Sequence, residues 1–129
     1  MPFKIVRPAS VLAAALTLAA LGAAVQAGTI NSNLQIDPGQ TFELGGGQEG
    51  GFVVTGTNTG PVAVVVLSKA DGAAAVERGT IAPGGALDAR IAPGEMALLR
   101  NTSGQKTARL KLKISGDTSS LGMTYSDNP

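Results

Sequence analysis

The chain has no histidine, no cysteine and no tryptophan, and aromatic residues make up only 3% of it. Without histidine and cysteine there is no imidazole base, no thiolate nucleophile, no disulfide and no His/Cys metal cage. Scarce aromatics remove the flat stacking platforms that carbohydrate-cleaving clefts and single-stranded nucleic-acid binders use. Charge is also sparse, at 15% of the residues. What the chain does have is glycine (18) and proline (7) in 129 residues, a turn-rich composition that favours short strands over long helices.

Residues 1–27 have the pattern of an export signal. Lys4 and Arg7 form a basic start, Val11 to Val25 is uncharged and rich in Ala and Leu, and Val25-Gln26-Ala27 offers small residues at −3 and −1 of a cleavage site after Ala27. The apolar run falls short of the roughly 20 residues a spanning helix needs, so an uncleaved membrane anchor is the weaker alternative. No cysteine follows for lipid attachment, and Arg7 has no arginine neighbour for the twin-arginine route. The Ala-rich signal suggests a bacterial protein of the periplasm or medium. Removing Lys4 and Arg7 leaves eight basic residues against nine acidic ones, a net charge of −1 on residues 28–129. The faint basicity of the whole chain belongs to its signal, and no global field points to nucleic acid.

From Gly28 onward, short apolar-alternating runs recur between turn residues. Ile30/Leu34/Ile36, Phe42/Leu44, Phe52 to Thr57, Val62 to Leu67, Leu87/Ala89/Ile91, Met96 to Leu99, Ala108/Leu110/Leu112/Ile114 and Leu121/Met123/Tyr125 each predict a strand. Val62 to Leu67 is apolar on both faces and is expected at the sheet centre. Asp71 to Gly79 fits either a short helix or a turn at Asp71-Gly72 feeding a strand from Ala74, and the strand is preferred. Ile36-Asp37-Pro38-Gly39, Ile81-Ala82-Pro83-Gly84 and Ile91-Ala92-Pro93-Gly94 predict type II turns, with Pro fixing φ and Gly accepting positive φ. Their recurrence is expected from turn chemistry rather than from an internal repeat. The predicted fold is all-β: one antiparallel β-sandwich, immunoglobulin-like or jelly-roll-like, of eight or nine short strands over residues 28–129.

Gly45 to Gly50 matches the dinucleotide pattern G-x-G-x-x-G, but a strand pattern follows where a helix is required, so the segment is expected to be a flexible inter-strand loop. Ser68 and Lys69 are adjacent and point to opposite faces of a strand, which prevents a Ser–Lys pair. Glu43, Glu49, Glu77, Asp88 and Glu95 supply carboxylates for a hydrolase, but each falls in a turn or at an outward position. Phe42 and Phe52 belong to apolar faces. Asp37, Asp71, Asp88, Asp117 and Asp127 are scattered singly, without calcium-loop spacing. Asn101-Thr102-Ser103 fits the glycosylation pattern. No catalytic residue, cofactor or metal is predicted.

The segment with most to weigh is Lys106 to Ile114, where Arg109, Lys111 and Lys113 share one strand face with Lys106 nearby. Such a stripe suits an anionic partner (a polysaccharide, lipid or protein), but the plainer expectation is solvation of an outer face, or of an edge where Lys deters aggregation. The preferred expectation is an exported, non-catalytic binding module of the cell envelope, with no nucleic-acid partner and no membrane span after cleavage. A structural subunit exchanging its N-terminal and C-terminal strands is the alternative, and a carboxylate-dependent hydrolase a distant second.

Overall fold

A computed structural model describes residues 27–129, with only the backbone of Ala27; the rest of the expected signal lies outside the described residues. Nine strands follow one another: β1 (Ala27–Ile36), β2 (Gln40–Gly45), β3 (Phe52–Asn58), β4 (Val64–Lys69), β5 (Val76–Ile81), β6 (Ala86–Ile91), β7 (Met96–Asn101), β8 (Ala108–Asp117) and β9 (Met123–Asp127). No helix occurs among the described residues. They form a four-stranded antiparallel sheet in the order β1-β8-β3-β6 and a five-stranded one in the order β9-β2-β7-β4-β5.

Period-two alternation explains how the two sheets pack. In β8, Ala108, Leu110, Leu112 and Ile114 are buried while Arg109, Lys111 and Lys113 are exposed. The buried sets of both sheets join in one cluster, including Ile36, Val54, Ala89 and Ile114 from the first sheet and Phe42, Leu44, Val66 and Leu99 from the second. Of the Val62 to Leu67 run, Val64 to Leu67 enter β4, which is interior, but the middle of its sheet is β7. Residues 71–72 turn and β5 then pairs with β4, so the strand alternative holds for this segment. Met123 and Tyr125 alternate as expected yet stay 43% and 49% exposed, because β9 is an edge strand with no neighbour on its far side.

All three Ile-x-Pro-Gly segments cross from one sheet to the other. Each closes with an i→i+3 bond: Gln40 N–H to Asp37 O, Gly85 N–H to Ala82 O and Glu95 N–H to Ala92 O. Gly39, Gly84 and Gly94 take φ of 75°, 80° and 76°, the type II geometry that Pro-Gly predicts.

Buried carboxamides hold these crossings in place. Asn101 is 1% exposed, and its Nδ2 donates to the carbonyls of Ile36 (3.0 Å), Asp37 (3.2 Å) and Lys106 (2.8 Å). Asn58, equally buried, donates to Ile81 O (2.9 Å) and Val62 O (2.8 Å). Each Asn also accepts at Oδ1 from the backbone N–H two residues on, Gly60 or Ser103. The turns at Ile36 and Ile81 are therefore clamped in the same way. The third turn is held by Gln48, whose Nε2 donates to Ala92 O and Glu95 O and whose own carbonyl accepts from Gly94 N–H. Gln48 is itself buried, so the glycine-rich loop is tied down rather than free.

Replacing Asn101 by Leu takes the donor from the buried Ile36 carbonyl and from the part-buried carbonyls of Asp37 and Lys106, at about 1–3 kcal/mol for each group left fully orphaned. A loss of roughly 3 kcal/mol in urea unfolding is expected; a loss below about 1 kcal/mol contradicts the clamp.

Candidate functional site: the outer face of the four-stranded sheet

The strand order places β8 between β1 and β3, so the basic stripe lies inside the sheet and not at an edge. The register then fixes its neighbours. Arg109 lies opposite Gln35 on β1; Lys111 lies between Asn33 and Thr57; Lys113 lies between Asn31 and Thr55. Below them Ser115 sits between Thr29 and Val53. On β6, Asp88 is opposite Thr55 and Arg90 opposite Val53.

Arg109, Lys111 and Lys113 are exposed and project from alternate positions, spanning about 13–14 Å along the strand. Lys106 stays in the loop before β8, where its backbone N–H donates to Ser103 Oγ and its carbonyl accepts from Asn101 Nδ2. Arg90, which sequence reasoning left out, joins the face. Its outward position follows from alternation in β6, but its nearness to the stripe follows only from strand order. Asp88 is the one carboxylate in these register rows.

Two shallow clefts run beside the stripe. One, of about 320 Å³, is lined by Asn31, Asn33, Thr57, Lys111 and Lys113 among others. The second, of about 170 Å³, shares Asn33 and adds Gln35, Thr59 and Arg109. Cationic heads thus stand among carboxamides and hydroxyls, with no aromatic ring. The outer face of the other sheet differs: its register aligns Thr124, Glu43, Leu98, Leu67 and Glu77 across five strands, mixing acids with aliphatics.

The other candidates do not assemble. Glu43 lies on the outer face of the five-stranded sheet, taking a hydrogen bond from Thr124 Oγ1, while Asp88 lies on the opposite side of the molecule. Glu95 Oε1 accepts from Ala92 N–H within its own turn. Ser68 faces inward and accepts from Arg78 Nη1 at 3.2 Å, whereas Lys69 lines a glycine-walled cleft of about 470 Å³ with Gly45, Gly46, Gly47 and Asp71. β3 follows the glycine-rich loop, so the helix that a dinucleotide fingerprint needs is missing there. Asp117 is buried and accepts from Gly50 N–H and Ser119 Oγ. Asn101 is buried with its amide committed, which leaves no glycan acceptor in the folded state.

Tyr125 closes the side where β9 of one sheet meets β1 of the other. Its ring packs on Phe42 at 5.3 Å between centroids, and its hydroxyl donates to Gln35 O at 2.8 Å. Partial burial and the Asp37 carboxylate both raise its pKa above the ordinary phenol value. A raised folded-state pKa contributes stability that is present below the unfolded value near 10 and lost as pH rises through the folded one. Tyr125→Phe is expected to lose about 1 kcal/mol at neutral pH from the missing hydrogen bond. It is also expected to flatten the decline in melting temperature above pH 10, measured by circular dichroism; an unchanged alkaline decline contradicts this assignment.

No protein-family model, curated protein or solved structure matches the chain, so the functional reading rests on this geometry alone.

Proposed function

We propose that the protein is an exported, non-catalytic binding module of the cell envelope whose four-stranded face takes a linear anionic polysaccharide. The observation that carries this is the enclosure of Arg109, Lys111 and Lys113 between rows of amide and hydroxyl side chains, Asn31, Asn33 and Gln35 on one flank and Thr55 and Thr57 on the other. Cations attract the acidic groups, and carboxamides and hydroxyls suit the ligand's hydroxyls. A lipid surface calls for protruding apolar anchors, which this face lacks, and a nucleic acid for stacking rings. Export is supported by the Lys4/Arg7 start, the apolar run and the Val25-Gln26-Ala27 site. Cleavage after Ala27 leaves β1 entire but for its first residue.

The strand order supports a jelly roll over an immunoglobulin-like sandwich. β1 pairs with β8, β2 with β7, β3 with β6 and β4 with β5, as in one long hairpin wound over two sheets, with β9 added beside β2. Because β1 pairs along its whole length with β8 of its own chain, the ordered fold needs no donated strand.

Affinity for a carboxylated or sulfated polysaccharide, measured by calorimetry at low salt, is expected to fall at least about tenfold when Arg109, Lys111 and Lys113 are all replaced by Gln. Added salt should weaken the unchanged protein far more than the variant. Equal affinities with equal salt dependence would reduce the stripe to a solvated face.

A further inference from the structure

Four strand edges border the two sheets, and three of them carry features that discourage pairing. β5 has a register shift opposite Val66/Leu67 and carries Glu77 and Arg78. Arg78 Nη2 donates to Arg90 O, covering part of the β6 edge. β9 is five residues long and holds Asp127. The β1 edge is covered at one end only, where Tyr125 Oη donates to the Gln35 carbonyl, and the rest of its length carries no such device. It is ten residues long, AGTINSNLQI, with no charge, no proline and an unbroken register to β8.

The hydrogen-bonding direction of this edge follows from one contact. Gln35 O points away from β8, since it accepts from Tyr125 Oη on β9. Alternation then turns the N–H and C=O groups of Asn31 and Asn33 outward as well. The sequence around them is nearly palindromic: Ile30-Asn31-Ser32-Asn33-Leu34.

We propose that β1 pairs antiparallel with β1 of a second copy of this chain, about a two-fold axis through Ser32. That register sets Asn31 against Asn33 of the other copy, both with outward backbone groups, and Ile30 against Leu34. Two such hydrogen-bonded pairs form around the axis, and Tyr125 marks the end of the ladder at Gln35. The half-buried Ile30 gains cover. Exposed Met123 and Tyr125, on the core-side face of the neighbouring edge strand, flank the contact. A two-fold contact is self-complementary, which a near-palindromic strand meets with one segment. The inference does not depend on the polysaccharide reading.

The same register makes Ser32 face its own copy as a non-hydrogen-bonded pair, with Cα atoms about 4.5 Å apart, within disulfide range. The chain has no cysteine, so Ser32→Cys gives an unambiguous reporter. In the protein expressed from its full sequence and recovered after export, Ser32→Cys is expected to cross-link under mild oxidation at least about tenfold faster than Gly104→Cys, an exposed loop control. Sedimentation of the unchanged protein should show a concentration-dependent dimer. Asn31→Lys with Asn33→Lys, which sets lysine against lysine at exposed positions, should abolish it. The Arg109/Lys111/Lys113→Gln variant should keep it, which separates failure here from failure of the binding reading. Cross-linking no faster than the control, or a dimer indifferent to the lysine pair, overturns the proposal. If Ser32→Cys does not fold, the unchanged protein decides: a monomer at every concentration overturns it too.

Discussion

The sandwich depends on how its two sheets are joined at their crossings, and a buried carboxamide holds each of the three Pro-Gly joints. Asn101 donates to the carbonyls at the end of β1 and Asn58 to the carbonyl at the end of β5. These carbonyls lie where the chain turns from one sheet toward the other, and those of Ile36 and Ile81 meet the carboxamides in buried hydrogen bonds. A primary amide suits that place, because its NH₂ reaches two carbonyls from Asn58 and three, one hydrogen being shared, from Asn101, while its oxygen accepts from the local backbone. Serine would bring a single donor and leucine none. In a chain without disulfides these joints take over part of the work that covalent links perform in many small secreted domains. They also impose a likeness between the two halves, since β1 leading to β2 and β5 leading to β6 use the same Pro-Gly turn and the same kind of clamp.

Alternation made β8 legible as a half-buried strand, and Pro-Gly made the turns legible down to their positive-φ glycines. Both are local signals, set by a period of two or by four consecutive residues. The clamps were not legible, because Asn101 and Ile36 meet only across a sequence separation of 65 residues. Asn101 even carried a misleading local signal, a glycosylation triplet, whose side chain the fold buries. Gln48 was hidden within a run of glycines that looked unstructured. For the basic face, the stripe itself was visible and its setting was not: Arg90, the Asn row on β1 and the Thr row on β3 come to it through strand order. Tyr125 and Met123 show the converse limit, since alternation finds the inward side of a strand but not whether anything stands beyond it.

Placing the basic strand inside the sheet changes what its charge can do. At an edge, lysines repel another strand and remain solvated on three sides. Inside, the cationic side chains stand between uncharged polar neighbours on two strands, which supply directional hydrogen bonds that charge alone lacks. The surrounding strands also fix the backbone on which these cations stand. Gly56 illustrates how tightly: a Cβ there would collide with the Lys111 carbonyl oxygen. The cations project at regular intervals from a strand paired on both sides, an arrangement suited to a repetitive, extended ligand more than to a single compact one.

The uncharged β1 edge is intelligible in the same terms. Charge on β1 would protect the edge, and the price would fall on the neighbouring face, where acids would cancel the stripe. Lysine would spare the stripe and block pairing; the chain has Asn there instead. Pairing two copies through β1 would put their β8 strands three inter-strand spacings apart, about 14–15 Å. Both basic rows would then lie on one continuous eight-stranded surface, running antiparallel. A ligand carrying repeated acidic groups meets such a surface as two linked sites, and the second contact forms at the high effective concentration set by the first. Weak edge pairing and weak electrostatic binding would thereby reinforce each other, each being favoured where the other has already occurred.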